Sequence, residues 1–211
     1  MSRKASFWLL TLLAVVISYV PFINQPFNWV ETYFHEMSHG LASILTGGKF
    51  NSIRIYWNGS GLAYSSGGIR FWIAFSGYLG AQLMAVLFYA AGTVNSSTFR
   101  SVFTFLTCLS VILAIILLSG SIQTTIILCI LLGLFTLPLL KFQKETLKLF
   151  IQFIGLYVLQ RAIFSPIWQL GAPHSDATAL ASITMIPAFF WIGVWIASGA
   201  ICFYWLMKLN R

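Results

Sequence analysis

Six apolar runs, at about 5–22, 71–92, 101–119, 121–140, 147–164 and 185–207, constrain this chain more than any other feature. An α-helix rises 1.5 Å per residue, so about 20 apolar residues cross the roughly 30 Å of bilayer hydrocarbon. Lipid offers the backbone no hydrogen-bond partner, which leaves helices as the means of crossing and excludes open sheets. A further helix is predicted from Asn28 to Thr46, started by Asn28 as N-cap with Glu31 reaching back to it, and stopped by Gly47-Gly48. With 59% hydrophobic and 8% charged residues, no stretch is long and polar enough for a separate soluble domain. The expected fold is an all-α multi-pass membrane protein, one domain over 1–211. It has six or seven transmembrane helices, with a small β-hairpin between the second and third.

The hairpin comes from residues 49–70. Polar and apolar residues alternate from Asn51 to Tyr56, Asn58-Gly59-Ser60-Gly61 is turn chemistry, and Leu62 to Ser65 can return. An open strand edge is not tolerated in lipid, so this hairpin lies at the interface or under protein. It is either a connector or an edge to which an extended peptide adds as a strand.

The net charge of +8 sits at segment ends, where it points to headgroups and topology and away from nucleic acid. Arg3, Lys4, Lys49, Arg54 and Arg70 weigh for one side and Arg100, Lys141, Lys144, Lys148, Lys208 and Arg211 for the other, a near tie. Arg3-Lys4 before an apolar run resembles a signal peptide. Pro21-Phe22-Ile23 follows where small residues would mark cleavage, so an uncleaved first span is expected. Cys108, Cys129 and Cys202 stand apart in apolar runs and read as small buried hydrophobes. The protein is expected in a membrane, the cell membrane first, with the bilayer and a membrane protein or peptide substrate as its partners.

Ionisable side chains are few, and they cluster. Two of the four acids and two of the three histidines fall between residues 31 and 39. His35-Glu36-Met37-Ser38-His39 is an H-E-x-x-H motif, whose histidines share one helix face and can grip one metal ion, with zinc the expected metal. From a helix start at Asn28 the two imidazoles lie roughly 10 and 16 Å along the axis, at hydrocarbon depth. Glu36 can take a proton from an attacking water and pass it to a leaving amine. Glu31, one turn before His35, reads as the cap first and as a partner of the imidazole second. A catalytic site needs a third protein ligand. Asp176 and His174 are the candidates, in a polar interruption over 165–184, and Asp176 is preferred because a buried carboxylate needs a cation beside it. Ser175 can cap a short helix from Asp176, and Pro187 suits the start of the last span. Arg161 reads as a side chain reaching for headgroups rather than a donor to the oxyanion, for which no residue stands out.

The pattern resembles the site-2 protease family of intramembrane zinc metalloproteases, and within it the compact branch without a PDZ domain. The matching pieces are Phe34-His35-Glu36-Met37-Ser38-His39-Gly40, then Leu45-Thr46-Gly47-Gly48 with Ile53-Arg54-Ile55-Tyr56, then Ser76-Gly77-Tyr78-Leu79-Gly80, then Ser175-Asp176-Ala177. Ser-Asp-Ala stands where better-known members carry Leu-Asp-Gly. The resemblance implies His35, His39 and Asp176 as zinc ligands, Glu36 as the catalytic acid and base, and cleavage of a membrane protein in or near the bilayer. A membrane metal transporter or metal-binding protein using the same His/Asp site is the alternative. A membrane hydrolase of lipid or prenylated substrates is a further one.

Overall fold

The computed structural model describes residues 2–210. Helix α1 (Arg3–Ser18) begins where the Ser2 hydroxyl accepts from the Ala5 amide at 3.2 Å. It is followed by α2 (Gln25–Leu45), the strands β1 (Lys49–Ile55) and β2 (Gly61–Ser66), then α3 (Arg70–Thr93), α4 (Ser97–Leu117), α5 (Ile122–Lys141), α6 (Lys144–Trp168), α7 (Asp176–Thr184) and α8 (Ala188–Leu209). Five of these, α3, α4, α5, α6 and α8, are long and apolar enough to cross a membrane.

The start of α2 differs from the expected capping box. The helix begins at Gln25 with Pro26 in its first turn, so Glu31 sits in the second turn, out of capping reach. Asn28 instead accepts from the Tyr157 hydroxyl at 2.8 Å. The earlier start moves His35 and His39 to about 15 and 21 Å along the axis. Eight consecutive residues of α2, Trp29 to Glu36, are buried. Over that stretch the helix is enclosed, with α3, α6 and the hairpin packed around it, while Leu41, Ile44 and Leu45 near its end are exposed.

Helices α3 and α6 run antiparallel in close contact. Gly155 lies against the backbone at Ala85 and Tyr89, and the Gln82 amide reaches the Ala162 carbonyl at 3.4 Å. That carbonyl is the one that Pro166, lacking an N–H, leaves free. This is how α6 continues through Pro166 to Trp168 within a segment read as interrupted. Both α1 and α2 run in the same sense as α6. Phe7 packs on Tyr89 and Ser18 accepts from Gln160 at 3.2 Å, while α2 runs against α3, with His35 at Tyr78 and His39 at Ile73, and so runs with α6. The break between them is held by polar side chains: Asn24 donates to the Ser18 carbonyl at 3.0 Å, and the Tyr157 hydroxyl that donates to Asn28 lies 3.3 Å from the Asn24 carbonyl.

The packing also redistributes the basic residues. Arg3 lines one pocket with Arg100, Lys148 and Asn210, and Lys4 another with Asn210. Arg3, Lys4, Arg100, Lys141, Lys144, Lys148 and Lys208 therefore share one end of the bundle, with Lys49, Arg54 and Arg70 at the other. Arg211 lies outside the described residues. The near tie expected from sequence order is a clear imbalance.

The hairpin forms as expected, with Ile53 opposite Ala63 and Ile55 opposite Gly61. The outer edge of β1 is occupied: Ile53 donates to the Leu118 carbonyl at 2.7 Å and accepts from the Gly120 amide at 2.9 Å, and Ile55 donates to Thr124 at 3.0 Å. Within the described two-stranded sheet, β2 is left as the open edge. One cysteine departs from expectation. Cys108 is buried, but Cys129 is exposed on the outer face of α5, where a small apolar thiol suits a lipid-facing surface.

Candidate metal centre

Three elements bring the ionisable residues together. On α2, His35 and His39 are one turn apart on the face toward α3. The residue facing them there is Gly77: a Cβ at that position would lie 2.6 Å from His35 Cε1 and 2.6 Å from His39 Nε2. Small residues let membrane helices approach this closely, and Gly80 against Ser38 repeats the device one turn on. Asp176 arrives as the first residue of α7, which Ser175 caps by accepting from the Thr178 amide at 3.2 Å, as the sequence predicts.

The three side chains form a tight triangle. His35 Nε2 lies 3.0 Å from Asp176 Oδ2, His39 Nε2 lies 3.3 Å from the same oxygen, and the two Nε2 atoms are 3.0 Å apart. A tetrahedral ion with bonds of about 2.0–2.1 Å sets its ligands about 3.3 Å apart. A point at that bond length from all three atoms exists about 1 Å off their plane, so the triangle could hold a metal ion with a fourth position open. The tautomer of His39 agrees. Its Nδ1 is 2.6 Å from the Ile73 carbonyl, which can only accept, so Nδ1 carries the proton and Nε2 presents its lone pair to the centre. His35 Nδ1 is buried without a partner. Its ring packs 4.4 Å from that of Tyr78.

The triangle opens on a cavity of about 890 Å³. Glu36, Glu31, Tyr78 and Arg161 line it beside the triangle, and the hairpin from Asn58 to Ala63 forms another wall. Glu36 is buried but stands outside the triangle, turned to the hairpin. A Cβ on Gly61 would come within 2.5 Å of its carboxylate, so the bare glycine is what brings the first residue of β2 against Glu36. The open edge of β2, the carboxylate of Glu36 and the triangle thus share one space. His174 lines the same cavity but is exposed and outside the triangle.

Two residues have other places than the sequence suggested. Arg161 belongs to the cavity wall and its Nε is buried without a partner, so it is not free to reach for headgroups. Glu31 lines the cavity one turn from His35 and so is not the cap. Tyr78 was not singled out for chemistry. The signal lay in its place beside Gly77, which the helix geometry carries to the imidazoles.

A family profile described as Peptidase M50B-like matches residues 8–206. No curated protein and no solved structure matches the chain. The profile covers α1 to α8 almost end to end and so includes the histidines, Gly77 and Asp176. The chain belongs to the Peptidase M50B-like family.

Proposed function

We propose that this protein is a zinc endopeptidase, embedded as one domain in the cell membrane, that hydrolyses peptide bonds of a membrane protein in or near the bilayer. The observation that carries this reading is the shared space: a three-ligand triangle, a buried carboxylate outside it and an open strand edge all border one cavity. His35, His39 and Asp176 are the ligands. A bound zinc ion supplies a Lewis acid for the scissile carbonyl and acidifies the attacking water.

The chain's own residues do the rest. The open edge of β2 takes an extended substrate segment as a third strand, which fixes its backbone while leaving its side chains free. Glu36, at the end of that edge, takes the proton of the water and delivers it to the leaving amine. Tyr78 offers its hydroxyl to the carbonyl oxygen as charge develops there. Six crossings fit the packing, with α1 and α2 together making one broken ascent. The basic end then faces the cytoplasm, since positive residues are retained there.

The test is Glu36→Gln. Glutamine keeps the shape but cannot accept the proton. The variant should retain stoichiometric zinc in purified protein. Cleavage of a tagged single-span substrate in liposomes should fall by the roughly 10²–10⁴-fold that acid–base catalysis contributes. Unchanged cleavage ends the peptidase reading. Loss of zinc along with cleavage makes Glu36 a ligand and favours a metal-transporting protein.

A further inference from the structure

We infer a second binding site, for the phosphate group of an anionic lipid, at the basic end of the bundle. Arg100, in the first turn of α4, is only 5% exposed. One guanidinium nitrogen donates to the Val94 carbonyl at 2.7 Å, while Nε is buried without a partner. No carboxylate among the described residues pairs with it. A guanidinium does not give up its proton, so burial cannot be relieved by neutralisation, and a buried charge without a counter-charge is costly. The fold therefore has a standing requirement for an anion here.

The surroundings are built for one. Arg100 borders a cavity of about 90 Å³ together with Arg3, Lys148, Asn95, Gln152 and Asn210. The one acid on its wall among the described residues, Glu145, is already engaged by Lys148 at 3.3 Å, and its side chain is 77% exposed. Three cations and one acid leave two positive charges, the right sign and size for a phosphate. The place is where lipid headgroups lie, at the helix ends, and Lys4, Lys141, Lys144 and Lys208 would gather anionic lipids around it. It is separate from the metal centre. Tyr89, on this cavity's wall, is twelve residues along α3 from Gly77, about 18 Å.

The experiment compares thermal unfolding of the protein in nanodiscs of phosphatidylglycerol and of phosphatidylcholine, and in neutral detergent with and without inorganic phosphate. Phosphatidylglycerol should raise the unfolding temperature and should copurify with the protein by native mass spectrometry. Arg100→Gln should lose both the increment and the bound lipid while keeping zinc content at wild-type level. Lys144→Gln, which removes one exposed charge from the same end, should keep both. Because Arg100→Gln could unfold, Lys148→Gln serves as a second site variant and should weaken lipid retention in the same direction. Equal stability in the two lipids, or equal losses in Arg100→Gln and Lys144→Gln, would overturn the site in favour of diffuse surface attraction. Stabilisation by inorganic phosphate with none from phosphatidylglycerol would overturn the lipid as the source of the anion.

Discussion

Gly77→Ala is the sharpest test of how the candidate metal centre is built, because it adds one methyl group and no new chemistry. The new Cβ would lie 2.6 Å from both His35 Cε1 and His39 Nε2, where ordinary contact begins at 3.4 Å. The imidazoles or the helix must therefore give by 3.4 − 2.6 = 0.8 Å. Metal sites hold their bond lengths to within about 0.2 Å, so this displacement is several times the tolerance. Neither escape is free. Rotating His39 away breaks its bond to the Ile73 carbonyl, and withdrawing α3 carries Ile73 off with it. Overpacking of this kind costs about 1–3 kcal/mol. If most of that cost falls on the metal-bound geometry, zinc affinity drops about 5- to 140-fold, at 1.4 kcal/mol per tenfold. The assay is zinc competition against a chelator in detergent, with the cobalt-substituted protein read by its absorption spectrum. Gly193→Ala is the control, since nothing lies within 4 Å of its Cβ position. Unchanged zinc affinity and an unchanged cobalt spectrum in Gly77→Ala would refute the close-approach reasoning.

Three further outcomes follow from the same geometry. Asp176→Ala should abolish stoichiometric zinc while His174→Ala leaves it intact, measured by metal analysis of purified protein; the reverse pattern would transfer the third ligand to His174. Tyr78→Phe should lower kcat by the roughly 10²–10³-fold typical of a lost oxyanion donor, with zinc retained; wild-type kcat would remove Tyr78 from the chemistry. Single cysteines at Lys144 and at Ser66, placed in a cysteine-free chain, should label from opposite sides of the membrane. Lys144 should be the cytoplasmic one, and the opposite result would reverse the orientation inferred from the basic end.

What the sequence made legible were features whose partners lie within a few residues. The two histidines share a face because helix geometry requires it. Ser175 caps α7 and so holds Asp176 at its first position. The hairpin follows from alternation and from Asn58-Gly59-Ser60-Gly61. The start of α2 departs from expectation for the same reason. Asn28 and Glu31 satisfy the local capping pattern, but Asn28 is spent on Tyr157, far along the chain. Nothing within the segment records that claim on it.

The rest was hidden because a membrane helix has an apolar face on both sides. Helix α6 is buried all round from Ile151 to Leu159, so its apolar residues form no stripe and periodicity cannot tell which side meets α3. The informative residues are instead the polar ones, since each must be answered and lipid answers none of them. Pro166 leaves the Ala162 carbonyl open, and Gln82 is a buried amide in an apolar helix; it donates to the Trp195 carbonyl at 2.8 Å, accepts from Ser198 at 2.7 Å and reaches Ala162 at 3.4 Å, so one polar side chain ties α3 to both α8 and α6 at that level. Ser18, Asn24, Tyr157 and Gln160 likewise place the break between α1 and α2 against α6, and with Phe7 on Tyr89 at the other end α1 runs the same way as α6. That direction is what carries Arg3 to the end occupied by Arg100 and Lys148 and turns an apparent tie of charges into an imbalance. For a chain of this composition, matching unsatisfied donors to unsatisfied acceptors carries the tertiary information that hydrophobic pattern cannot.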